Sequence, residues 1–196
     1  MDETLSFKTH IEIISSKINR SLNCINRAKN FLSTKSLKSL YFALIHPHLL
    51  YCINIYSIAS PSNLKRLTII QKKAIRSINK APFLAHTKPL FTLSKILPLE
   101  QLIVQAKLQF MHSIEYGYGQ QSFLLLWQKN FQRNPTANLR NADDFYIPTA
   151  RVDSFKRIPI YTFPLEWNNL NIEIKAQFNK AIFRRALREY LIEGIQ

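Results

Sequence analysis

The chain has 196 residues, 46% of them hydrophobic and 12% aromatic, which is enough apolar material for a buried core and too much for a disordered basic tail. Lys and Arg number 27 against 12 Asp and Glu, a formal net charge of +15 with a pI near 10.0, and an excess of that size favours a polyanionic partner. Only Gly117, Gly119 and Gly194 are glycines, which excludes phosphate-cradling loops of the Walker or dinucleotide type.

Taken in chain order, the periodicity is helical over most of the first 117 residues. Ile11, Ile14, Ile18, Leu22, Ile25 and Leu32 recur at spacings of three, four and seven, which predicts a first helix from about Ser6 to Phe31. Ser33 or Thr34 can cap a second helix through SLKSLYFALIHPHLLYCINIYSIA, bent or interrupted by Pro47. Ser60, Pro61 and Ser62 punctuate before a third helix, Ser62 to Lys80. The following segment, with Pro82, Pro89 and Pro98, reads as a loop holding one short helix. A further helix is expected from about Leu99 to Tyr116, and YGYGQ at 116–120 is the clearest turn signal. Beyond it, 133–170 is rich in Pro, Asn and β-formers, with VDSFKRIPIYTF the best strand candidate, and Ile174 to Ile192 reads as a basic helix. The expected class is therefore mainly α, a helical bundle over 1–117 followed by a smaller α+β C-terminal segment over 118–196.

The third helix is the informative one. At 100° per residue, Lys65, Arg66, Lys72, Lys73, Arg76 and Lys80 fall within about 120° of one another, while Leu67, Ala74, Ile75 and Ile78 take the other side. No acidic residue interrupts the stripe, so it lacks the i,i+4 partners of a self-neutralised solvent face, although Ile69 sits within it. Nucleic acid is the polyanion it suits. A membrane is the competing one, but the longest apolar stretch, Leu40 to Ala59, is broken by His46, Pro47, His48 and Asn54 and offers no run of roughly 20 apolar residues. Residues 1–30 carry no secretory pattern, and Cys24 with Cys52 make no disulfide framework, so an intracellular place, nuclear or cytoplasmic, is expected.

A series of blocks carries a family resemblance. LSFKTHI at 5–11, Lys17 on the long helix, SLYFALIHPHLLYC at 39–52, IQKKAIR at 70–76 and FLAHTKPLF at 83–91 follow one another in order. LRNADDFYIPTARVD at 139–153, PLEWNNL at 164–170 and QFNKAIFRRALREYL at 177–191 complete the series. Together they resemble the region just past the palm in reverse transcriptases of non-LTR retrotransposons, of the jockey-like kind, across essentially the whole chain. The resemblance implies that the first three helices correspond to a polymerase thumb, which lies against the template-primer duplex. It also implies that Met1 and Asp2 stand where an Ile-Asp pair closes the palm, so the chain is expected to begin after the active site. No cofactor is expected in this chain, whereas the complete polymerase would use Mg held by two adjacent aspartates upstream.

Asn141-Ala142-Asp143-Asp144 imitates that aspartate pair, but its surroundings, Asn138, Arg140 and Asn141, read as a loop rather than an apolar hairpin. His46, His48 and Cys52 include donors four apart on a helix but lack a fourth ligand, and read as packing residues. His10, His86 and His112 have no nucleophile constellation. Tyr161, Phe163 and Trp167 beside Lys156 and Arg157 can stack bases, yet such aromatics more often form core. The sequence reading is a non-catalytic fragment of an RNA-directed DNA polymerase that binds an RNA or RNA/DNA template-primer, with Arg184, Arg185 and Arg188 extending the grip, no membrane, and a palm-containing polymerase chain as a further partner. The alternative is a protein-interaction remnant of a decayed retrotransposon.

Overall fold

The computed structural model describes residues 6–119, 123, 126–133, 135–136 and 140–195. By its packing the chain divides into two compact units, Met1–Ile103 with Tyr190–Gln196, and Val104–Glu189.

In the first unit, α1 (Lys8–Ala28) buries Ile11, Ile14, Ile18, Leu22 and Ile25, the stripe expected of it. It stops before Phe31 because the chain turns through 29–33, which leaves Leu32 exposed. Ser33 caps α2 (Thr34–Leu44) by accepting from the Ser36 amide at 3.1 Å. The expected second helix is in fact three: α2, α3 (His46–Leu50) and α4 (Ile53–Tyr56). Pro47 lies in the first turn of α3, where its missing N–H costs nothing, so it starts a helix rather than kinking one. Cys52, left-handed at φ 55°, makes the second break. The buried Tyr56 hydroxyl donates to the Leu49 carbonyl across it, and burial holds that phenol well above its ordinary pKa. α5 (Pro61–Ile78) begins with Ser60 as its cap and Pro61 in the first turn, and α6 (Thr87–Ser94) is the short helix expected in the proline-rich stretch.

α1 and α5 run parallel, because Ser6 meets Asn63, Glu12 meets Arg66 and Asn26 meets Ser77 in step along both helices. Their apolar faces close over α2, whose Leu37 and Tyr41 are fully buried. Gln71 occupies the middle of this core with 1% of its surface exposed. Its amide N–H groups donate to the Tyr41 hydroxyl at 2.9 Å and the Leu97 carbonyl at 3.0 Å, and its oxygen accepts from the Leu99 amide at 2.8 Å. Leu99 opens α7 (Leu99–Glu115), so Gln71 satisfies one of the orphan donors at that helix start.

The second unit is built on aromatic packing. Phe110 of α7 meets Trp127 and Phe163 edge-on at 5.7 and 5.5 Å, and Trp127 stacks parallel to Phe163 at 5.9 Å. The expected α+β character is not found: among the described residues there is no strand, only an isolated antiparallel bridge between Lys129 and Phe145. VDSFKRIPIYTF forms a short 3-10 helix, Phe155–Arg157, and then enters α9 (Pro159–Asn168). Pro159 in the first turn presets helical φ, and Phe163 and Trp167, four apart, share the buried face; this outweighs the β-branched composition. Asn168 then brackets Phe145, accepting from its amide at 3.1 Å and donating to its carbonyl at 2.8 Å. The expected final helix is likewise split into α10 (Ile172–Lys175) and α11 (Lys180–Glu193), where Asn179 accepts from the Ala181 amide at 2.8 Å. α8 (Asn130–Arg133) is a single turn.

Candidate nucleic-acid interface

α5 separates its faces as its periodicity demands. Leu67, Ile70, Gln71, Ala74, Ile75 and Ile78 are buried, while Lys65, Arg66 and Lys73 are exposed and Lys72 and Arg76 half-buried. Lys80 lies beyond the helix, exposed and left-handed at φ 52°. Ile69 remains on the outer face, exposed among the cations.

The six cations have different surroundings. The Arg66 guanidinium donates to the Glu12 carboxylate of α1 at 3.1 Å, so an acidic partner absent from its own helix is supplied from the neighbouring one. Both side chains are exposed, and such pairs contribute little to stability. Arg76 donates through Nε to the Ala85 carbonyl at 2.9 Å and thereby holds the loop after α5. Lys72 lines the opposite flank, beside Thr87, Lys88 and Glu100. Lys65 and Lys73 remain as exposed cations of the outer face.

The parallel packing creates a groove that no single helix has. One stretch, of about 570 Å³, is lined by Glu12, Ser16, Asn19, Arg20 and Asn23 of α1 and by Arg66 and Ile69 of α5. A second, of about 480 Å³, is lined by Asn26 and Lys29, then Lys73, Arg76 and Ser77, with Phe83 from the following loop. Arg20 and Lys29 were not picked out by sequence reasoning. The signal was present, since Ser16, Asn19, Asn23 and Asn26 recur at helical spacing on a face about 120° from the middle of the isoleucine stripe. Which helix that polar stripe would meet was not written in it.

Arg184, Arg185 and Arg188 lie on α11 within Val104–Glu189, whereas α5 belongs to the other unit. Arg184 and Arg185 are exposed and Arg188 half-buried, with Phe183, Leu187 and Leu191 on the buried face. The resemblance blocks of this unit hold structure together. Trp167 is core, Lys175 donates to the Asn168 carbonyl at 2.8 Å, and the Tyr116 hydroxyl donates to the Lys175 carbonyl at 2.6 Å. Burial pushes Lys175 below the ordinary lysine range, with Asp144 and Glu115 pulling it back up.

Asp143 and Asp144 sit in a turn, where the Asp144 amide donates to the Asn141 carbonyl at 3.2 Å. His46 packs edge-on to Phe42 at 5.1 Å, and Cys24 and Cys52 are free and exposed. Among the described residues no three His, Cys, Asp or Glu side chains lie close enough to hold a metal ion. Phe163 and Trp167 are buried in the aromatic core, with Tyr161 half-buried, which agrees with the core reading of that trio. No helix among the described residues is long and apolar enough to cross a membrane.

No family model and no solved structure matches the chain. Over 91 residues it is 29% identical to the RNA-directed DNA polymerase from mobile element jockey of Drosophila funebris, a match covering 45% of this chain and 10% of that protein. Over 92 residues it is 30% identical to the protein of the same name from Drosophila melanogaster, again covering 45% of this chain and 10% of the relative. The matched part thus spans about a tenth of the length of these curated relatives. With a helical, cationic groove and this similarity over nearly half its length, the chain resembles a region of a jockey-like non-LTR retrotransposon reverse transcriptase.

Proposed function

We propose that this chain grips the sugar-phosphate backbone of an RNA-containing template-primer duplex and performs no phosphoryl transfer itself. The α1–α5 groove carries the reading: Arg20 of α1 and Lys29 just past its end face Arg66, Lys73 and Arg76 of α5, with Lys65 exposed on the same outer side of α5, and the other faces of both helices are locked in a core. Such side chains meet phosphates irrespective of sequence, release counterions and lose affinity as salt rises. An A-form duplex is then sensed through backbone and shape rather than base edges. Within a complete polymerase the grip keeps the primer end in register, and α11 with Arg184, Arg185 and Arg188 adds phosphate contacts.

The test is fluorescence anisotropy of the full 196-residue chain with an RNA/DNA hybrid over a salt series, against an Arg20→Ala, Lys65→Ala, Lys73→Ala variant. The expected slope of log affinity against log salt is shallower in the variant by about two to three. Absence of binding at low salt by a folded chain overturns the reading.

One observation favours the alternative, a protein-interaction role. Ile13, Tyr51 and Ile55 are exposed around a cleft of about 570 Å³ also lined by Phe7, His10 and Tyr56, and among the described residues no Lys or Arg lines this apolar cleft. Ile13→Asp with Ile55→Asp separates the two readings, since it removes apolar surface and leaves the groove cations in place.

A further inference from the structure

We infer that the end of the α1–α5 groove beside the loop after α5 is a nucleotide subsite, in which Lys29, Lys73 and Arg76 receive a phosphate and the Phe83 ring stacks an unpaired base. This rests on the nucleic-acid reading above and adds to it a preference for a duplex that continues into single strand.

Phe83 is 75% exposed, yet the backbone of its loop is tied down by hydrogen bonds. Lys80 turns the chain left-handed at φ 52°, the Ala81 amide donates to the Arg76 carbonyl at 2.9 Å, and the Ala85 amide donates to the Pro82 carbonyl at 3.1 Å. Arg76 closes the loop by donating from Nε to the Ala85 carbonyl at 2.9 Å. A pinned loop that presents an aromatic ring to solvent leaves a large apolar surface without a partner in its own fold.

The neighbours of that ring decide what covers it. The cavity it borders, about 480 Å³, is the size of a small-ligand site and carries Lys29, Lys73 and Arg76, with no acidic residue among the described residues of its lining. The Ser77 hydroxyl donates to Asn26 Oδ1 at 2.6 Å, which leaves the Asn26 amide N–H groups for an acceptor. A protein interface core is depleted in charge, whereas three cations and an amide donor beside an exposed aromatic ring suit a phosphate joined to a base. A paired base inside a duplex has no free face for the ring. The base that can use Phe83 is therefore one that has left the duplex, at an overhang or junction.

Two RNA/DNA hybrids test this, one blunt and one carrying four unpaired nucleotides at one end, each titrated with the full chain by anisotropy. The expected result is tighter binding of the overhang hybrid, with Phe83→Ala weakening it about tenfold and leaving the blunt hybrid within about twofold. The salt slope should be unchanged in Phe83→Ala, and Phe83→Trp should restore the preference. Lys29→Ala should weaken both hybrids and lower the salt slope by about one. If Phe83→Ala weakens neither hybrid, or both equally, the subsite is overturned while the backbone grip stands. If the folded wild-type chain binds neither hybrid, both readings fall. Phe83 is exposed, so circular dichroism of the alanine variant should match that of the wild type.

Discussion

Gln71 shows how one residue can serve packing where its neighbours serve the surface. It precedes Lys72 and Lys73 in a basic run, yet it points inward and spends its amide on Tyr41, Leu97 and Leu99. Removing it takes a donor from the Tyr41 hydroxyl and leaves the Leu97 carbonyl and the Leu99 amide without their glutamine partner in the core, each of these two costing about 1–3 kcal/mol unless water reaches it. Gln71→Ala is expected to destabilise the unit formed by Met1–Ile103 with Tyr190–Gln196 by about 3 kcal/mol, read as a lower urea midpoint by far-ultraviolet circular dichroism. An unchanged midpoint would mean that the three-way tie does not hold these segments. A glutamine in a lysine-rich stretch looks like surface, and only the helix phase, 180° from the middle of the cationic stripe within about 20°, hints otherwise.

At the scale of elements, the helix starts were legible and several helix ends were not. Ser33 and the Ser60-Pro61 pair are chemical signals that act locally, through a side-chain acceptor and a preset φ, and the structure uses both. Helix ends are commonly marked by glycine, and this chain is nearly without it. Lys80 and Lys95 take left-handed positions instead, at φ 52° and 51°. At the end of α6 the Ile96 amide donates to the Phe91 carbonyl at 3.0 Å, the pattern of a left-handed helix stop. Lys95→Gly should relieve the strain there and raise stability by about 0.5–1 kcal/mol, measured as a higher denaturant midpoint at constant slope. A fall in the midpoint would show that the lysine side chain contributes more than its backbone costs. The misread strand belongs to the same scale: VDSFKRIPIYTF has strand composition, but a proline at helix N1 and the four-residue spacing of Phe163 and Trp167 prevailed.

For the molecule as a whole, charge and burial combine to set its response to acid. Trp127 and Trp167 both lie in Val104–Glu189, so intrinsic fluorescence follows that unit. Within it His112 is fully buried, stacks on Phe183 at 4.0 Å and shares a hydrogen bond with the Gln177 carbonyl at 2.8 Å. Burial lowers its pKa below the ordinary 6.5, partly offset by the bond to Gln177; Lys180 and Arg184 lower it further, and Glu115 raises it. The unfolded chain therefore binds the extra proton first, so the stabilising contribution is complete above pH 6.5 and declines as pH falls toward the folded pKa. Thermal unfolding followed by tryptophan fluorescence should show a midpoint that falls as the pH drops below about 6.5, a fall flattened in His112→Phe. An equal slope in the variant would assign the loss to the general charge excess.

What the sequence by itself determined is the set of local decisions: the isoleucine stripe of α1, the two-faced character of α5, the serine caps and the net charge of +15. Each follows from periodicity, side-chain chemistry or summed charge, which act over a few residues or over composition. Tertiary structure alone decided that α1 lies parallel to α5, so that Arg20 and Lys29 join Lys73 along one groove while Glu12 pairs with Arg66 and the Arg76 Nε is used to hold a loop. The physical reason is that a surface cation is defined by what approaches it, and that approach is set by how buried faces from distant segments pack.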